Sequence, residues 1–293
     1  MRRKNLVIVR AGRSSLHPRW LDGVGEPEFD LLVAAYEKDA SCRPDQLSMF
    51  MPGKKISGYY EVFQQRPELL EQYDYIALFD DDISATKQDI GRLFAIGQEY
   101  RLDLFQPALS WDSYFSYAAT LANARFKLRY TNIVEMMCPV FCAKLLKRAL
   151  PLFGLGYETG IDLLWTRLTD DPWFRYAIID DVVVRHTRPV GATRVQQGFA
   201  EGTYDSQVQV VLDRFGSTFS GFVTYAAVEK SGRLVRSRYT VGLQTLALWG
   251  AWHRTPMERK YFIRFITDYT RHCFFRPVNL ARIDLAPEIP NAA

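Results

Sequence analysis

The segment YIALFDDDI, residues 75–83, runs from a fully apolar stretch directly into three aspartates. Its first five residues show no alternation of polar and apolar side chains, which is typical of a strand buried on both faces of a parallel sheet. In extended backbone Asp80 and Asp82 point the same way, and Asp81 points elsewhere. Ligands of open α/β sheets bind beyond the carboxyl ends of the strands, so this turn marks the predicted site.

Similar apolar runs flank this segment and alternate with helical patterns along the chain. Such alternation predicts an α/β fold with an open, mostly parallel, Rossmann-like sheet flanked by helices. The predicted strands are residues 6–9, 31–36, 102–105 and 176–179 continuing through 182–184, and the predicted helices are residues 56–65, 89–100, 145–150 and 162–168.

The character of the sequence changes near residue 202. We therefore predict a catalytic domain over residues 1–201 and a mainly helical C-terminal extension over residues 202–293, on the acceptor side of the site or facing a membrane. In the extension we expect helices at 206–215, 241–253 and 256–275, and a hairpin around Ser231-Gly232. The last helix has a basic, aromatic surface that suits an anionic membrane, although packing against the catalytic domain is favoured.

Composition limits the partners and the location. The net charge of +4 over 293 residues is too small to indicate a nucleic-acid partner. The four cysteines form no CxxC pair and no zinc-like spacing, so we expect reduced thiols and a cytoplasmic protein. No uninterrupted apolar segment approaches the ~20 residues that span a bilayer, which leaves a soluble protein or one held peripherally on the inner face of the membrane.

Three carboxylates at the end of a buried strand repel one another and cost desolvation free energy unless a cation neutralises them. Asp80 and Asp82 offer hard oxygen ligands and leave coordination positions for phosphate oxygens, which suits Mg²⁺ or Mn²⁺. Two other interpretations stay open, an acidic surface loop and a cap for a helix that begins near Thr86. The position directly after an apolar strand favours the metal site.

Around this turn the sequence resembles a known class of enzyme. YDYIALFDDDI (73–83) resembles the Asp-x-Asp segment of GT-A glycosyltransferases, and the chain more closely resembles the glycosyltransferase family DUF707 over roughly residues 5 to 195. Further segments agree with that family in order: LVIVRAGRSSLHPRWL (6–21), LFQPALSWDSYFSY (104–117), YTNIVEMMCPVF (130–141), GYETGIDLLW (156–165) and IIDDVVVRHTRPVG (178–191).

The resemblance implies roles for single residues. It implies that His186 completes a metal site with Asp80 and Asp82, and that Asp162 is the catalytic base, with Glu158 as the second candidate. Such a base takes the proton of the acceptor hydroxyl in an inverting transfer. The alternatives are a structural histidine and a helix N-cap aspartate.

Two further groups of residues are candidates for substrate contacts. The donor diphosphate is expected to meet basic residues and the acidic turn, although solvated surface charge is the alternative for each basic residue. The candidate donor contacts are Arg10, Arg13, Lys54, Lys55, Asp80 and Asp81, and the candidate acceptor contacts are Trp111, Asp112 and Glu135.

These observations together predict a transferase that uses Mn²⁺ or Mg²⁺ and a nucleotide-sugar donor. It would move the sugar to a hydroxyl of a glycan or glycolipid, in the assembly of bacterial surface polysaccharide or lipopolysaccharide. Two alternatives stay open: a metal-dependent phospho- or nucleotidyltransferase, and a non-catalytic carbohydrate-binding protein. The first of these would be expected to carry a GxxxxGK[ST] loop, which the sequence lacks.

Overall fold

A computed structural model describes residues 4–40, 42, 47–191, 203–283 and 285. Within these residues eleven strands form one sheet, with helices packed around it. The strands are β1 Asn5–Ala11, β2 Asp30–Ala35, β3 Leu47–Phe50, β4 Tyr75–Asp80, β5 Ile83–Ser84, β6 Leu104–Leu109, β7 Phe126–Thr131, β8 Val140–Cys142, β9 Tyr176–His186, β10 Thr224–Glu229 and β11 Leu234–Val235. The helices are α1 Lys55–Gln65, α2 Leu69–Gln72, α3 Lys87–Glu99, α4 Ala143–Phe153, α5 Thr203–Arg214, α6 Arg238–Leu248 and α7 Arg259–Phe275.

The strand order is β3-β2-β1-β4-β8-β6-β9-β7-β10-β11, and β5 pairs with the end of β9. Strands β7, β8 and β11 run opposite to the other seven strands of this path. The sheet is therefore open and mostly parallel, which confirms the predicted fold class. Its central strands β1 and β6 are buried at every residue, as strands covered on both faces must be.

The predicted strands and most of the predicted helices are present, but residues 162–168 do not form an α-helix. They form two 3-10 turns, Ile161–Leu163 and Trp165–Arg167, after Gly160 with φ 85°. All of these turn residues are buried, including Trp165, so the segment has no polar face to present to solvent. Short 3-10 turns accommodate such all-round burial better than a longer amphipathic helix.

Four of the described strands were not predicted, namely β3, β5, β7 and β8. Strand β7 has the sequence FKLRYT, whose charged residues conceal its burial. Arg129 in this strand is fully buried because Asp180 of β9 pairs with it through two N–H···O bonds of 2.8 Å. Strand β8 is only three residues long and runs directly into α4, so it gives little periodic signal.

The segment after residue 202 contributes to the same sheet. Strand β10 pairs with β7, and the expected hairpin forms between β10 and β11. Helices α6 and α7 follow, and Phe262 and Phe265 of α7 pack against Phe115. The proposed domain boundary at residues 201 and 202 lies outside the described residues. None of the described helices is both long and apolar enough to cross a bilayer.

Candidate functional site

The acidic turn lies where the strand order reverses. Strands β2 and β3 continue the sheet on one side of β1, and β4 leads to the other side, so β1 and β4 form a topological switch point. Arg10 at the end of β1 is in register with Asp80 at the end of β4. The crevice beyond the carboxyl ends of such a strand pair is the usual ligand site of open α/β sheets.

The backbone of the turn is held by hydrogen bonds from several segments. The carbonyl of Asp81 accepts from the N–H of Leu16, and the carbonyl of Asp82 accepts from the N–H and hydroxyl of Thr187. The buried indole of Trp20 donates to the carbonyl of Ile83 at 2.8 Å. With these carbonyls satisfied, the orientation of the aspartate side chains is fixed by the surrounding fold.

Asp80, Asp82 and His186 each offer one ligand atom, and these atoms all lie within 4.8 Å of one another. The sheet explains why residues 104 positions apart meet, because Ile83 of β5 is the register partner of His186 of β9. Nε2 of His186 lies 3.1 Å from the Asp82 carboxylate. Nδ1 of the same ring lies 2.9 Å from the carbonyl of Tyr114.

Asp81 points away from this group. Its carboxylate accepts hydrogen bonds from the N–H of Gly12 at 2.9 Å and from the hydroxyl of Tyr36 at 3.2 Å. The guanidinium of Arg188 lies 3.2 Å from its other oxygen. Asp81 therefore connects the acidic turn to the loops that follow β1 and β9.

Each aspartate of the turn has a partner that carries or can gain positive charge. Nζ of Lys55 lies 2.5 Å from Asp80, Arg188 contacts Asp81, and His186 contacts Asp82. From the sequence, a divalent ion was expected to neutralise the three aspartates. The structure shows that side chains of the chain itself supply much of that neutralisation, so mutual repulsion alone does not require a metal.

The local environment raises the pKa of some of these groups and lowers the pKa of others. Burial raises the pKa of Asp80 even though Lys55 opposes the shift, and burial likewise raises the pKa of Asp81. Burial acts in the same direction on Asp82, but its hydrogen bond with His186 outweighs it and lowers the pKa. For His186, burial favours the neutral ring, yet the interaction with Asp82 prevails and raises the pKa.

Two further carboxyl groups close to the acidic turn, Asp162 and Glu135, are buried. Asp162 follows Gly160 in the first 3-10 turn, and burial raises its pKa to about 6. Glu135 has its pKa raised to about 7, chiefly by burial and further by the charge of Asp162. The backbone N–H of Glu135 donates to Gln106, whereas its Oε2 has no hydrogen-bond partner among the described residues. Carboxyl groups with such pKa values can exchange protons near neutral pH.

Glu158 occupies the N-terminus of α1. Its carboxylate accepts from the N–H of Ile56 at 2.7 Å, from the N–H of Ser57 at 3.1 Å and from the hydroxyl of Ser57 at 2.8 Å. These amides at the start of α1 are therefore occupied by this carboxylate. Lys54, the N-cap residue, is exposed beside them.

Arg10 is a buried cation at the edge of the site. Its Nη2 donates to the carbonyl of Gly53 at 2.9 Å, but Nε and Nη1 have no partner within the described residues. Gly58 of α1 permits this placement, since a Cβ there would lie 2.3 Å from Cζ of Arg10. A buried cation with unsatisfied N–H groups is stabilised by a bound anion.

These groups line one open cavity of about 230 Å³. It brings together nine of the residues selected from sequence: Arg10, Lys55, Asp80, Asp81, Asp82, Glu135, Glu158, Asp162 and His186. It also contains residues that were not selected, including Tyr36, Ser116, Tyr117, Thr159 and Arg188. Tyr36 follows the end of β2, and Arg188 lies two residues beyond His186, so the strand-end rule could have found both.

Four selected residues lie outside this cavity. Arg13 is exposed and pairs with Asp39 at 2.7 Å, and Lys54 lies at the surface. The indole of Trp111 donates to the carbonyl of Ala122 at 3.1 Å. Asp112 is exposed and pairs with Arg185 at 3.0 Å.

No protein-family model matches the chain, and no curated protein matches it either. The resemblance to DUF707 therefore stays a prediction. Solved structures similar to this chain include S. aureus TarS in complex with UDP, at 13% identity and TM-score 0.41, covering 73% of this chain and 72% of that one. TarS in complex with UDP-GlcNAc matches at 14% identity and TM-score 0.41, covering 94% and 74%. A CMP:2-keto-3-deoxy-manno-octonic acid synthetase with CTP matches at 12% identity and TM-score 0.29, covering 51% and 78%. At these values the similarity carries no argument about function.

Proposed function

We propose that this protein is a metal-dependent glycosyltransferase that moves a sugar from a nucleotide-sugar donor to a hydroxyl group of a glycan or glycolipid. One observation carries the proposal: two carboxylates and one imidazole that could hold a metal line the same cavity as two buried carboxyl groups of raised pKa, at the switch point of the sheet. This arrangement combines a site for an anionic leaving group with a base for the attacking hydroxyl.

The side chains fit a divalent cation such as Mn²⁺ or Mg²⁺. Asp80 and Asp82 would contribute carboxylate oxygens, and His186 would contribute Nε2. The carbonyl of Tyr114 can hold the proton of a neutral imidazole on Nδ1, which leaves the Nε2 lone pair free for coordination. When bound, the cation would supply Lewis-acid stabilisation to the departing nucleoside diphosphate.

The residues of the chain would perform the remaining steps. Arg10 and Arg188 would bind phosphate oxygens through charge-assisted hydrogen bonds. Lys55 would exchange its contact with Asp80 for one with the diphosphate. Asp162 would accept the proton of the acceptor hydroxyl while that oxygen bonds to the anomeric carbon and the bond to the diphosphate breaks. Attack from the face opposite the leaving group inverts the anomeric configuration.

Asp162 is the better candidate for the base than Glu158. Both oxygens of Glu158 already accept hydrogen bonds from the start of α1, whereas burial makes Asp162 a stronger base than a solvated aspartate. Glu135 lines the same cavity as Asp162 and would form a hydrogen bond with the acceptor. These roles would place the acceptor between the 3-10 turns and the acidic turn.

The test is a turnover assay with UDP-, GDP- and CMP-sugars and Mn²⁺, with and without glycan acceptors. We expect one donor to be consumed in a metal-dependent way, with turnover strongly reduced but measurable in Asp162→Asn and unchanged in Asp112→Asn, since Asp112 lies outside the cavity. Detection of a phosphorylated or nucleotidylated product would support the phosphotransferase alternative. Sugar binding without consumption of any donor would support a carbohydrate-binding protein.

We also propose that the reaction takes place in the cytoplasm, with the protein either free or peripheral on the inner face of the membrane. The exposed basic residues of α7, including Arg264, support a contact with anionic lipid. Flotation with anionic liposomes tests this part separately. Protein that stays at the bottom of the gradient would remove the membrane contact and leave the proposed chemistry unchanged.

A further inference from the structure

A second cavity, of about 170 Å³, lies beside the first. It is enclosed by the 3-10 turn Ala118–Thr120, the segment before β10 and helix α7. Aromatic side chains form most of its wall, namely Tyr117, Phe219, Phe222, Tyr261, Phe265 and Tyr269. Tyr117 lines both cavities, so the two spaces adjoin at this residue.

The dimensions of this second cavity restrict what it can hold. An engineered apolar cavity of about 150 Å³ in another protein binds one benzene molecule. A volume of about 170 Å³ therefore suits one aromatic ring or a short alkyl chain. Its charged lining residues are Arg264, which is exposed, and Asp268, which is half-buried, and the two lie 3.9 Å apart. The interior is thus apolar and the entrance is polar, as in small-molecule sites.

Contacts with neighbouring residues hold the aromatic side chains that line this cavity in place. The ring of Tyr117 packs on Phe222 with centroids 5.5 Å apart, and Phe265 packs on Phe115 at the same separation. The hydroxyl of Tyr269 is hydrogen-bonded to Thr224 of β10. By contrast, Phe219 and Tyr261 are 48% and 44% exposed at the mouth. Exposed aromatic rings next to a preformed apolar space are typical of a binding site.

We propose that this second cavity binds an apolar group of the acceptor, an aryl ring or a short alkyl chain attached close to the reacting hydroxyl. The inference rests on the proposed function and adds the substrate class to it. A single acceptor molecule passing Tyr117 would place its hydroxyl at Asp162 and its apolar group among the rings of Phe222 and Phe265. The acceptor is therefore an amphipathic glycoside rather than a free, fully polar sugar.

The experiment compares matched pairs of probes without donor or metal. Phenyl and methyl β-glycosides of glucose, galactose and N-acetylglucosamine are titrated by saturation-transfer NMR. We expect the phenyl member of at least one pair to bind about tenfold or more tightly than the methyl member, because burial of each additional carbon group contributes to affinity. In Phe219→Ser and Tyr261→Ser this preference should fall at least threefold.

Ile263→Ser is the matched control, since Ile263 is 51% exposed on the same helix but does not line this cavity. The preference should be unchanged in that variant. Equal binding of phenyl and methyl probes in every pair, or a preference that survives in both cavity variants, overturns the inference. A wild-type dimer that dissociates in Tyr261→Ser also overturns it, because a second copy would then cover this surface. The titration contains no donor, so its result does not depend on whether the turnover assay succeeds. Failure of the inference and failure of the proposed function can therefore be distinguished.

Discussion

Asp162 is a carboxyl group whose surroundings decide whether it can take a proton. Burial raises its pKa to about 6, and only its deprotonated form can act as a base. The rate at saturating donor and metal should therefore fall about tenfold per pH unit below pH 6 and level off above it. A pH–rate profile of the wild type checks this prediction.

The same profile for the residual activity of Asp162→Asn provides the control. Its acid limb near pH 6 should be absent, because the titrating base has been removed. If the limb persists in that variant, another group such as Glu135 or His186 controls the rate, and the assignment of the base is wrong.

The position of Asp80 and Asp82 after an apolar strand predicted them as metal ligands, and the family resemblance added His186 to that group. The basic residues that pair with these aspartates were only partly predicted, since Arg188 was not among the candidates. Lys55 was selected as a phosphate contact, but its reach to Asp80 depends on how α1 packs beside β4. Trp111 and Asp112, which follow β6, were predicted to contact the acceptor, yet neither lines the cavity. Side-chain direction in a loop depends on tertiary contacts that residue type does not reveal.

Helix α3 packs closely on the sheet at one of its two glycines. A Cβ at Gly97 would lie 2.1 Å from Cζ of Phe105, whereas a Cβ at Gly91 would meet only Glu28 at 3.5 Å. We expect Gly97→Ala to lower the free energy of unfolding by about 1–2 kcal/mol, because overpacking outweighs the gain in helix propensity. Gly91→Ala should instead raise it by about 0.5–1 kcal/mol.

Urea unfolding of both alanine variants checks this pair of predictions. Equal stability changes at the two positions would mean that α3 does not approach Phe105 as closely as described. The capping box of Thr86 and Asp89 starts this helix and is far enough from Gly97 to be unaffected. The helix is capped by Thr86 and Asp89 and not by the aspartates of the acidic turn, so the interpretation of that turn as a helix cap is wrong.

Strands β7 and β9 are joined by the buried pair of Arg129 and Asp180. Arg129 also donates to the carbonyls of Ala119 and Leu121 at 2.8 Å, so it supports the turn that lines the second cavity. Arg129→Met leaves the carboxylate of Asp180 buried without its partner. We expect a loss of about 3–5 kcal/mol in the free energy of unfolding.

The double variant Arg129→Met with Asp180→Leu should recover much of that loss, because no unpaired charge remains. Thermal and urea unfolding of the single and double variants measure this difference. A single variant as stable as the wild type would contradict the structural role of the pair.

At the scale of the whole molecule, the sheet contains more strands than the sequence suggested. The apolar runs predicted β1, β2, β4, β6 and β9, and their alternation with helices predicted the open sheet. The pairing of β10 with β7 links residues almost a hundred positions apart, and no local pattern reveals such a pairing. The C-terminal segment was predicted as mainly helical, and it also lengthens the sheet and forms one wall of the second cavity.

The architecture explains why the candidate site lies where it does. Strand order reverses at β1 and β4, and the short strand β5 turns back to meet the end of β9. These two features bring three distant segments of the chain to one crevice. Helix α1 supplies Lys55, and Glu158 from the segment after α4 caps the start of this helix, so the cavity depends on the sheet and on α1 together.

The most direct measurement of the central claim is the affinity for Mn²⁺ in the presence of a nucleoside diphosphate, followed by electron paramagnetic resonance of the free ion. We expect saturable binding of one ion by the wild type and by Asp112→Asn. The double variant Asp80→Asn with Asp82→Asn should bind at least about a hundredfold more weakly, since loss of ligands costs more than loss of their supporting contacts. Equal Mn²⁺ affinity in the double variant and the wild type would contradict the assignment of the acidic turn as a metal site.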